Sequence, residues 1–342
     1  MPFYKTIDSN TVEGCRTIEG LQRLRTLDLP AKTVDATLML ASWNLRELGG
    51  SKSGGRELEP LLYIAEIISR FDLVAVQEVR NELDTLERLM GLLGSWWKFL
   101  VSDVTAGAAG NRERHAFIYD TRKLRFGGLA GELVPEARKN ADGTLGADFA
   151  FSRTPYVAGF QAGWFKFTIC TQHAYYGDDK PDDPQRVADA AHVARLLGMR
   201  RKNADRWANN AILLGDFNVF TAKDETLAAI TRAKFELPAG LARQYTNAKL
   251  DKPFDQMAFL APDVQRQVAI CKAGVVPYFD HVYRAADWKV YGANTQKAFV
   301  EWRTYKMSDH LPIWVELNVD FSDDYLARRL ETAVASGEAV KS

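Results

Sequence analysis

Five polar clusters stand where an apolar run ends or begins. Asn44 closes LMLASWN, Glu78 closes FDLVAVQE, His173 closes FKFTICTQH, Asp216 and Asn218 close AILLGDFN, and Asp309 and His310 open SDHLPIWVEL. Carboxylates and amides supply hard oxygen donors, and an imidazole can hold or release a proton near neutrality. Together they suit a divalent cation and a phosphate, and suit neither thiol nor flavin chemistry. Glu78 is the best single metal ligand, with Asn44 able to add a neutral oxygen beside it. An all-oxygen site that keeps several waters is what magnesium prefers, with manganese as a substitute.

Residues so far apart in the chain act together only if the fold gathers them. Each run is short, β-branched or aromatic, and bounded by turn residues, the pattern of a buried strand. A polar side chain at the end of such a strand is held rigidly yet reaches solvent. The clusters are therefore expected at one edge of a sheet sandwich. Asp216 and Asn218 are alternate residues at one strand exit and share a face. GDFN also has turn chemistry, in which both side chains would bond their own backbone.

Further strands are expected in HAFIYD, LRFGGLAGELV, YVAGF and FDQMAFL, and helices in TIEGLQRLRTL, ELEPLLYIAEIISR, NELDTLERLMGLLG and QRVADAAHVARLLGMRRK. In the second of these, Leu58, Leu61, Leu62, Ala65 and Ile68 follow helical spacing, with Pro60 tolerable in the first turn. GGSKSGG and PEARKNADGTLGAD are expected as loops. No repeat or linker divides the chain. The expected organisation is an extension packing on the core (1–33), one domain (34–320), and a C-terminal helix with a frayed tail (321–342).

The 342 residues suffice for a full core, and 46% hydrophobic with 26% charged residues is the composition of a soluble globular protein. Forty-four basic and 44 acidic residues cancel, so no global field draws the chain onto nucleic acid. A phosphate-directed site needs local positive charge; residues 112–125, with Arg112, Arg114, Arg122, Lys123 and Arg125, are the candidate stretch, against the alternative of a solvated face. Cys15, Cys170 and Cys271 are too scattered for a disulfide framework or a zinc knuckle. With no signal pattern in MPFYKTIDSN and no apolar stretch near about 18 residues, a cytoplasmic monomer without membrane contact is expected.

In that order, WN, QE, TQH, GDFN and SDH resemble the motifs of the endonuclease/exonuclease/phosphatase superfamily, in its deoxyribonuclease I-like branch, from about residue 36 to about 318. GDFN alone is a moderate signal; QE upstream and SDH near the end make the set specific. The resemblance implies an α/β fold, a four-layer sandwich of two packed mixed β-sheets flanked by helices, with the phosphoester site at one sheet edge. It implies a magnesium-dependent phosphodiesterase in which Glu78 and Asn44 hold the metal and Asp309 adds a ligand directly or through water. Asp216 would orient or deprotonate the attacking water, and Asn218 would hold that water and a phosphate oxygen. His173 and His310, as imidazoliums, would stabilise the phosphorane or protonate the leaving oxygen.

Family members orient the final histidine with an earlier aspartate. Asp255 in PFDQMAF and Asp280 in YFDHVY compete for that place. Asp255 is favoured because it opens a strand soon after GDFN, although many relatives carry histidine where this chain has Gln256. GNRERHAFIYD resembles the stretch whose arginine approaches the phosphate, which nominates Arg114; FSRTPYVAGF places Arg153 in a loop beside the site. His115, His192 and His281 are expected as bystanders.

The resemblance implies DNA as the first substrate, since His173 follows the deoxyribonuclease I pattern. The alternatives are a phosphatase or phospholipase-C-type enzyme on a small phosphorylated molecule or lipid head group, and an inactive binding module. Loss of Glu78, Asp216 or His310 would mark the last, and all three are present.

Overall fold

A computed structural model describes residues 2–49, 56–105, 111–147, 149–202, 207–241, 243–260 and 269–335. Fourteen strands occur among them. The first sheet contains β1 (Thr37–Leu48), β2 (Leu73–Val79), β3 (Trp97–Val101), β4 (Arg114–Asp120), β13 (Ala269–Val275) and β14 (Ile313–Asn318), in the order β13-β14-β1-β2-β4-β3. The second contains β5 (Arg125–Glu132), β8 (Tyr156–Ala162), β9 (Phe165–His173), β10 (Asn210–Asp216), β11 (Phe235–Glu236) and β12 (Asp255–Leu260), in the order β11-β12-β10-β9-β8-β5. Strands β6 (Ala137–Lys139) and β7 (Leu145–Ala147) form a separate hairpin.

Strand alternation explains why both sheets are covered on both faces. In β1, Leu38 and Leu40 point into the core between the sheets, meeting Phe160, Ile169 and Leu214, while Met39, Ala41 and Trp43 face the helices. Those helices are α1 (Val12–Leu24), α2 (Leu58–Ile68) and α3 (Asp84–Leu93). On the far side, Cys170, Leu213 and Ala258 of the second sheet pack on α4 (Pro184–Lys202) and α5 (Glu225–Arg232). The result is the four-layer α/β sandwich, with α6 (Gln296–Lys306) and α7 (Ser322–Ala335) completing seven helices among the described residues.

Strand direction brings the motifs together. Parallel β1 and β2 place Asn44 opposite Gln77, so Asn44 and Glu78 leave at one edge. Parallel β9 and β10 place His173 opposite Asp216. Antiparallel β12 begins where β10 ends, pairing Asp255 with Asp216, and β14 runs antiparallel to β1, with Ile313 beside Ser42. Ends of parallel strands and starts of antiparallel ones thus share one rim.

Several expectations change. PEARKNADGTLGAD is no plain loop: it contains the β6–β7 hairpin, turned at Asn140–Gly143. WKFLV and AICKAGV are strands, and 225–232 and 296–306 are helices, none of which stood out in the sequence. Most of GGSKSGG and the tail beyond Ala335 lie outside the described residues. The basic stretch 112–125 is not one patch. Arg114 begins β4 near the site, whereas Arg122 and Lys123 follow its far end, where Arg122 pairs with Asp120 at 2.6 Å and Lys123 donates to the Thr33 and Val34 carbonyls. Among the described residues, no helix is long and apolar enough to cross a membrane.

Candidate active site

At this rim β1, β2 and β10 all end abruptly. Arg46, Glu47, Glu78 and Asn218 have φ of 37°, 52°, 60° and 51°. Left-handed backbone costs a non-glycine residue on the order of 1–3 kcal/mol and persists only where the surroundings enforce it. Irregular register between Asn44 and Leu48, and between Val76 and Val79, accompanies these turns. Bulges of this kind re-aim side chains out of the ladder. At this rim the strain falls on two motif residues, Glu78 and Asn218, and on Arg46 and Glu47 just after Asn44.

Gly215 serves the same end. Its φ is 137°, and a Cβ there would lie 2.0 Å from the Gln172 carbonyl oxygen of the neighbouring strand. Only glycine lets β10 approach β9 closely enough to set Asp216 beside His173. Gly215→Ala is expected to force the two strands apart, lowering the melting temperature and displacing Asp216. A variant with wild-type melting and turnover would contradict this.

Two carboxylate–imidazole pairs converge on Asp216. His310 Nδ1 lies 2.8 Å from Asp255 Oδ2, and His173 Nδ1 lies 2.8 Å from Glu113 Oε2. The opposite nitrogens, Nε2 of His173 and of His310, stand 3.5 Å and 3.6 Å from Asp216 Oδ2. Asn44 Nδ2 donates to that same oxygen at 3.0 Å and to Glu78 Oε1 at 2.9 Å. Beneath this layer Gln77 Nε2 donates to Thr171 Oγ1 at 2.7 Å, tying one sheet to the other. Ser308 donates to the Asn44 carbonyl at 2.6 Å and pins the SDH loop to β1.

Charge follows from these contacts. Burial works against the His310 cation, but Asp255 and Asp216 outweigh it and hold its pKa well above the ordinary histidine value. For His173, burial and Arg153 both oppose the charge, and Glu113 with Asp216 still raises the pKa. Burial pushes the Glu113 carboxyl up, yet His173 and Arg153 bring it down to about 2. Burial and Glu113 push Glu78 up. Among the described residues Glu78 forms no ion pair, although Asn44 and the Glu47 N–H, at 3.0 Å, hold its oxygens. A carboxylate so placed, with Glu113 and His173 offering ligand atoms within 4.8 Å, fits a divalent cation.

Several expected residues stand elsewhere than the sequence suggested. Asn44 presents N–H groups, not oxygen, to the two carboxylates, because its Oδ1 accepts from the Arg46 N–H at 2.9 Å. Asp309 sits at the rim with 43% of its side chain exposed, 3.5 Å from Arg46. Arg114 donates to the Ser102 carbonyl at 2.8 Å on the other face of β4. Its neighbour Glu113, which the sequence reading passed over, takes the place beside His173; strand alternation within RERH was the available signal. Arg153 is buried, with Nε 3.0 Å from Glu113 and Nη1 donating to the Ala174 carbonyl at 3.2 Å. Asn218 donates to the same carbonyl at 2.9 Å, and its own N–H donates to Asp216 Oδ1 at 2.9 Å. Asp255, not Asp280, meets His310; Asp280 lies in an exposed 3-10 turn. Gln256 donates to the Pro253 carbonyl at 2.8 Å, so it leaves Asp255 free for His310.

No family model matches the chain. Individual relatives do. A deoxyribonuclease from Thioalkalivibrio sp. (strain K90mix) is 31% identical over 192 residues, which is 54% of this chain and only 47% of that protein. Deoxyribonuclease-1 from Bos taurus is 25% identical over 297 residues, covering 82% of this chain and 92% of its own. An endonuclease/exonuclease/phosphatase family protein from Bacteroides thetaiotaomicron shares the fold, with a TM-score of 0.56 and 20% identity over 83% of this chain and 98% of its own.

The chain is similar in sequence to deoxyribonucleases and shares the fold of an endonuclease/exonuclease/phosphatase family protein. The two imidazole pairs, Asp216 and Glu78 occupy one rim of the sandwich.

Proposed function

We propose that the protein is a metal-dependent phosphodiesterase that cleaves nucleic acid, DNA in the first instance. The observation that carries this reading is the convergence of both Nε2 atoms on Asp216 Oδ2, beside Glu78, which forms no ion pair among the described residues. Likeness to deoxyribonucleases over most of the chain supports the choice of DNA.

Glu78 is the central ligand for magnesium, with Asp309 at the rim adding a ligand directly or through water. When bound, the cation offsets charge on the non-bridging oxygens. Asp216, charged at neutral pH because both imidazoliums outweigh its burial, orients a water and accepts its proton as the water oxygen bonds to phosphorus. Asn218 fixes the geometry of that carboxylate. As the P–O bond to the leaving group breaks, one imidazolium gives its Nε2 proton to the departing oxygen and the other lies against the phosphorane. Asp255 and Glu113 keep both rings protonated and in one orientation. The proton on Asp216 is within short reach of either Nε2, so the acid can be restored for the next turnover.

Purified protein should be inactive with excess chelator and recover with magnesium or manganese. In Glu78→Gln, magnesium affinity by calorimetry should fall tenfold or more, the scale expected when a metal site loses a ligand charge. Full plasmid nicking in excess chelator would sink the metal assignment. A second reading, hydrolysis of a small phosphorylated molecule, is favoured by one observation: a cavity of about 610 Å³ adjoins His310. Plasmid nicking compared with release of phosphate from phosphomonoesters separates the two readings.

A further inference from the structure

Arg56, just before α2, is a buried charge that the hydrolytic step does not use. Its side chain is 1% exposed, and it forms no ion pair among the described residues. Burial pulls its pKa down to about 10, so the guanidinium stays charged at neutral pH. A buried cation without a carboxylate is unfavourable unless hydrogen bonds replace the water it has lost.

Those bonds go to four backbone carbonyls. Nε donates to the Lys306 carbonyl at 2.9 Å, and Nη2 donates to those of Leu45, Arg46 and Met307 at 2.6, 3.0 and 2.8 Å. All four need a donor from outside their own element. Leu45 and Arg46 lie in the break of β1, between the Asn44–Gln77 and Leu48–Val79 pairs, so their carbonyls fall outside the ladder. Lys306 ends α6 and Met307 caps it, and the last carbonyls of a helix have no partner within it. The helix dipole also favours a cation there. Arg88 Nη1, from α3, donates to the Arg56 carbonyl at 2.9 Å and fixes its backbone in turn.

Both segments lead straight to the reacting groups. The break in β1 provides two donors to Glu78, Asn44 Nδ2 at 2.9 Å and the Glu47 N–H at 3.0 Å. Just beyond Met307, Ser308 Oγ donates to the Asn44 carbonyl at 2.6 Å and accepts from the His310 N–H at 3.0 Å.

We propose that Arg56 is a positioning residue for the rim: its guanidinium joins the broken end of β1 to the end of α6, so that Glu78 and His310 are held in one frame. The inference rests on the phosphodiesterase reading and names what keeps the cation site of that reading in register with its acid. The planar fork is what the place requires. Lysine keeps the charge, but its three donors sit on one nitrogen, whereas here two nitrogens serve two segments.

The test compares the full chain as wild type, Arg56→Lys and Arg56→Gln, with Leu197→Ala, in the apolar layer under α4, as a destabilised control away from the rim. At saturating magnesium, kcat for bis(p-nitrophenyl) phosphate should fall roughly 10–100-fold in both Arg56 variants with KM nearly constant, the scale for removing a group that orients metal ligands. Leu197→Ala should keep the wild-type kcat below its melting transition. Amide exchange on the metal-free chains reads the joint without reference to activity. In wild type, 44–48 and 306–310 should open with one free energy, as parts of one cooperative unit. In Arg56→Lys both should lose about tenfold more protection than β9 does, the scale of a lost hydrogen bond to a charged group. Wild-type kcat in Arg56→Lys overturns the proposal, and so does an equal loss of kcat in Leu197→Ala. Separate opening of the two segments in wild type overturns it even if neither Arg56 variant folds. If wild type hydrolyses neither plasmid nor chromogenic diester, the phosphodiesterase reading falls, and the exchange result alone decides the joint.

Discussion

Asp255→Ala is expected to lower turnover nearly as far as His310→Ala, each by roughly 10²–10⁴-fold, with the double variant little worse than either. The two side chains act as a unit: a single 2.8 Å contact to Nδ1 fixes the ring so that Nε2 faces Asp216. Residues that work as a unit lose most of their joint effect when either is removed. Asp255→Asn keeps the shape and removes the charge that favours the cation. His310, held well above the usual value in the wild type, should then lose its proton at lower pH. The alkaline limb of the pH–rate profile should accordingly move down. Asp280→Ala should leave both rate and limb unchanged, because Asp280 is exposed and the turn that carries it reaches His310 only through the Tyr278 hydroxyl, which donates to the His310 carbonyl at 2.9 Å. Measured on plasmid nicking and again on a chromogenic diester, a mild Asp255→Ala or an additive double variant would remove Asp255 from the machinery.

Asp216→Asn should have an effect at the top of the same range, roughly 10³–10⁴-fold. One oxygen of Asp216 faces both imidazoles and accepts from Asn44, and the other accepts from the Asn218 N–H. The amide preserves size but cannot take a proton from water, and it removes the negative charge that keeps both rings protonated. The strand should survive, since Asp216 sits at the end of β10 and the apolar residues before it are untouched. Unchanged circular dichroism with lost turnover is the expected result. Turnover within a few-fold of wild type would shift the proton acceptor elsewhere on the rim.

The motif residues were legible for a physical reason: a buried strand needs a run of apolar residues, and a polar side chain at its end stands out against that run. Asn44, Glu78, His173, Asp216, Asn218 and His310 all lie on the rim. The short edge strand β3 and the helices α5 and α6 were not legible, because partial burial leaves a weak pattern. Glu113 was missed for a different reason. It lies just before the first residue of β4, and RERH offers two arginines as louder candidates. Only the pairing of that strand shows which of the neighbours turns toward His173.

Taken alone, the sequence determined which side chains end strands, and hence the inventory of carboxylates, imidazoles and amides available for phosphoester chemistry. The four-layer arrangement was implied by the resemblance of those motifs, and the continuous apolar runs agree with sheets covered on both faces. Tertiary structure decided the partners. Asp255 and not Asp280 holds His310, Glu113 and not Arg114 reaches the site, and Asn44 offers N–H where an oxygen was expected. The spacing of residues along a chain carries no information about which strands lie side by side, in which direction, or where a bulge turns a side chain over. Those choices belong to sheet register and to packing between distant segments, and they set every distance on which the chemistry depends.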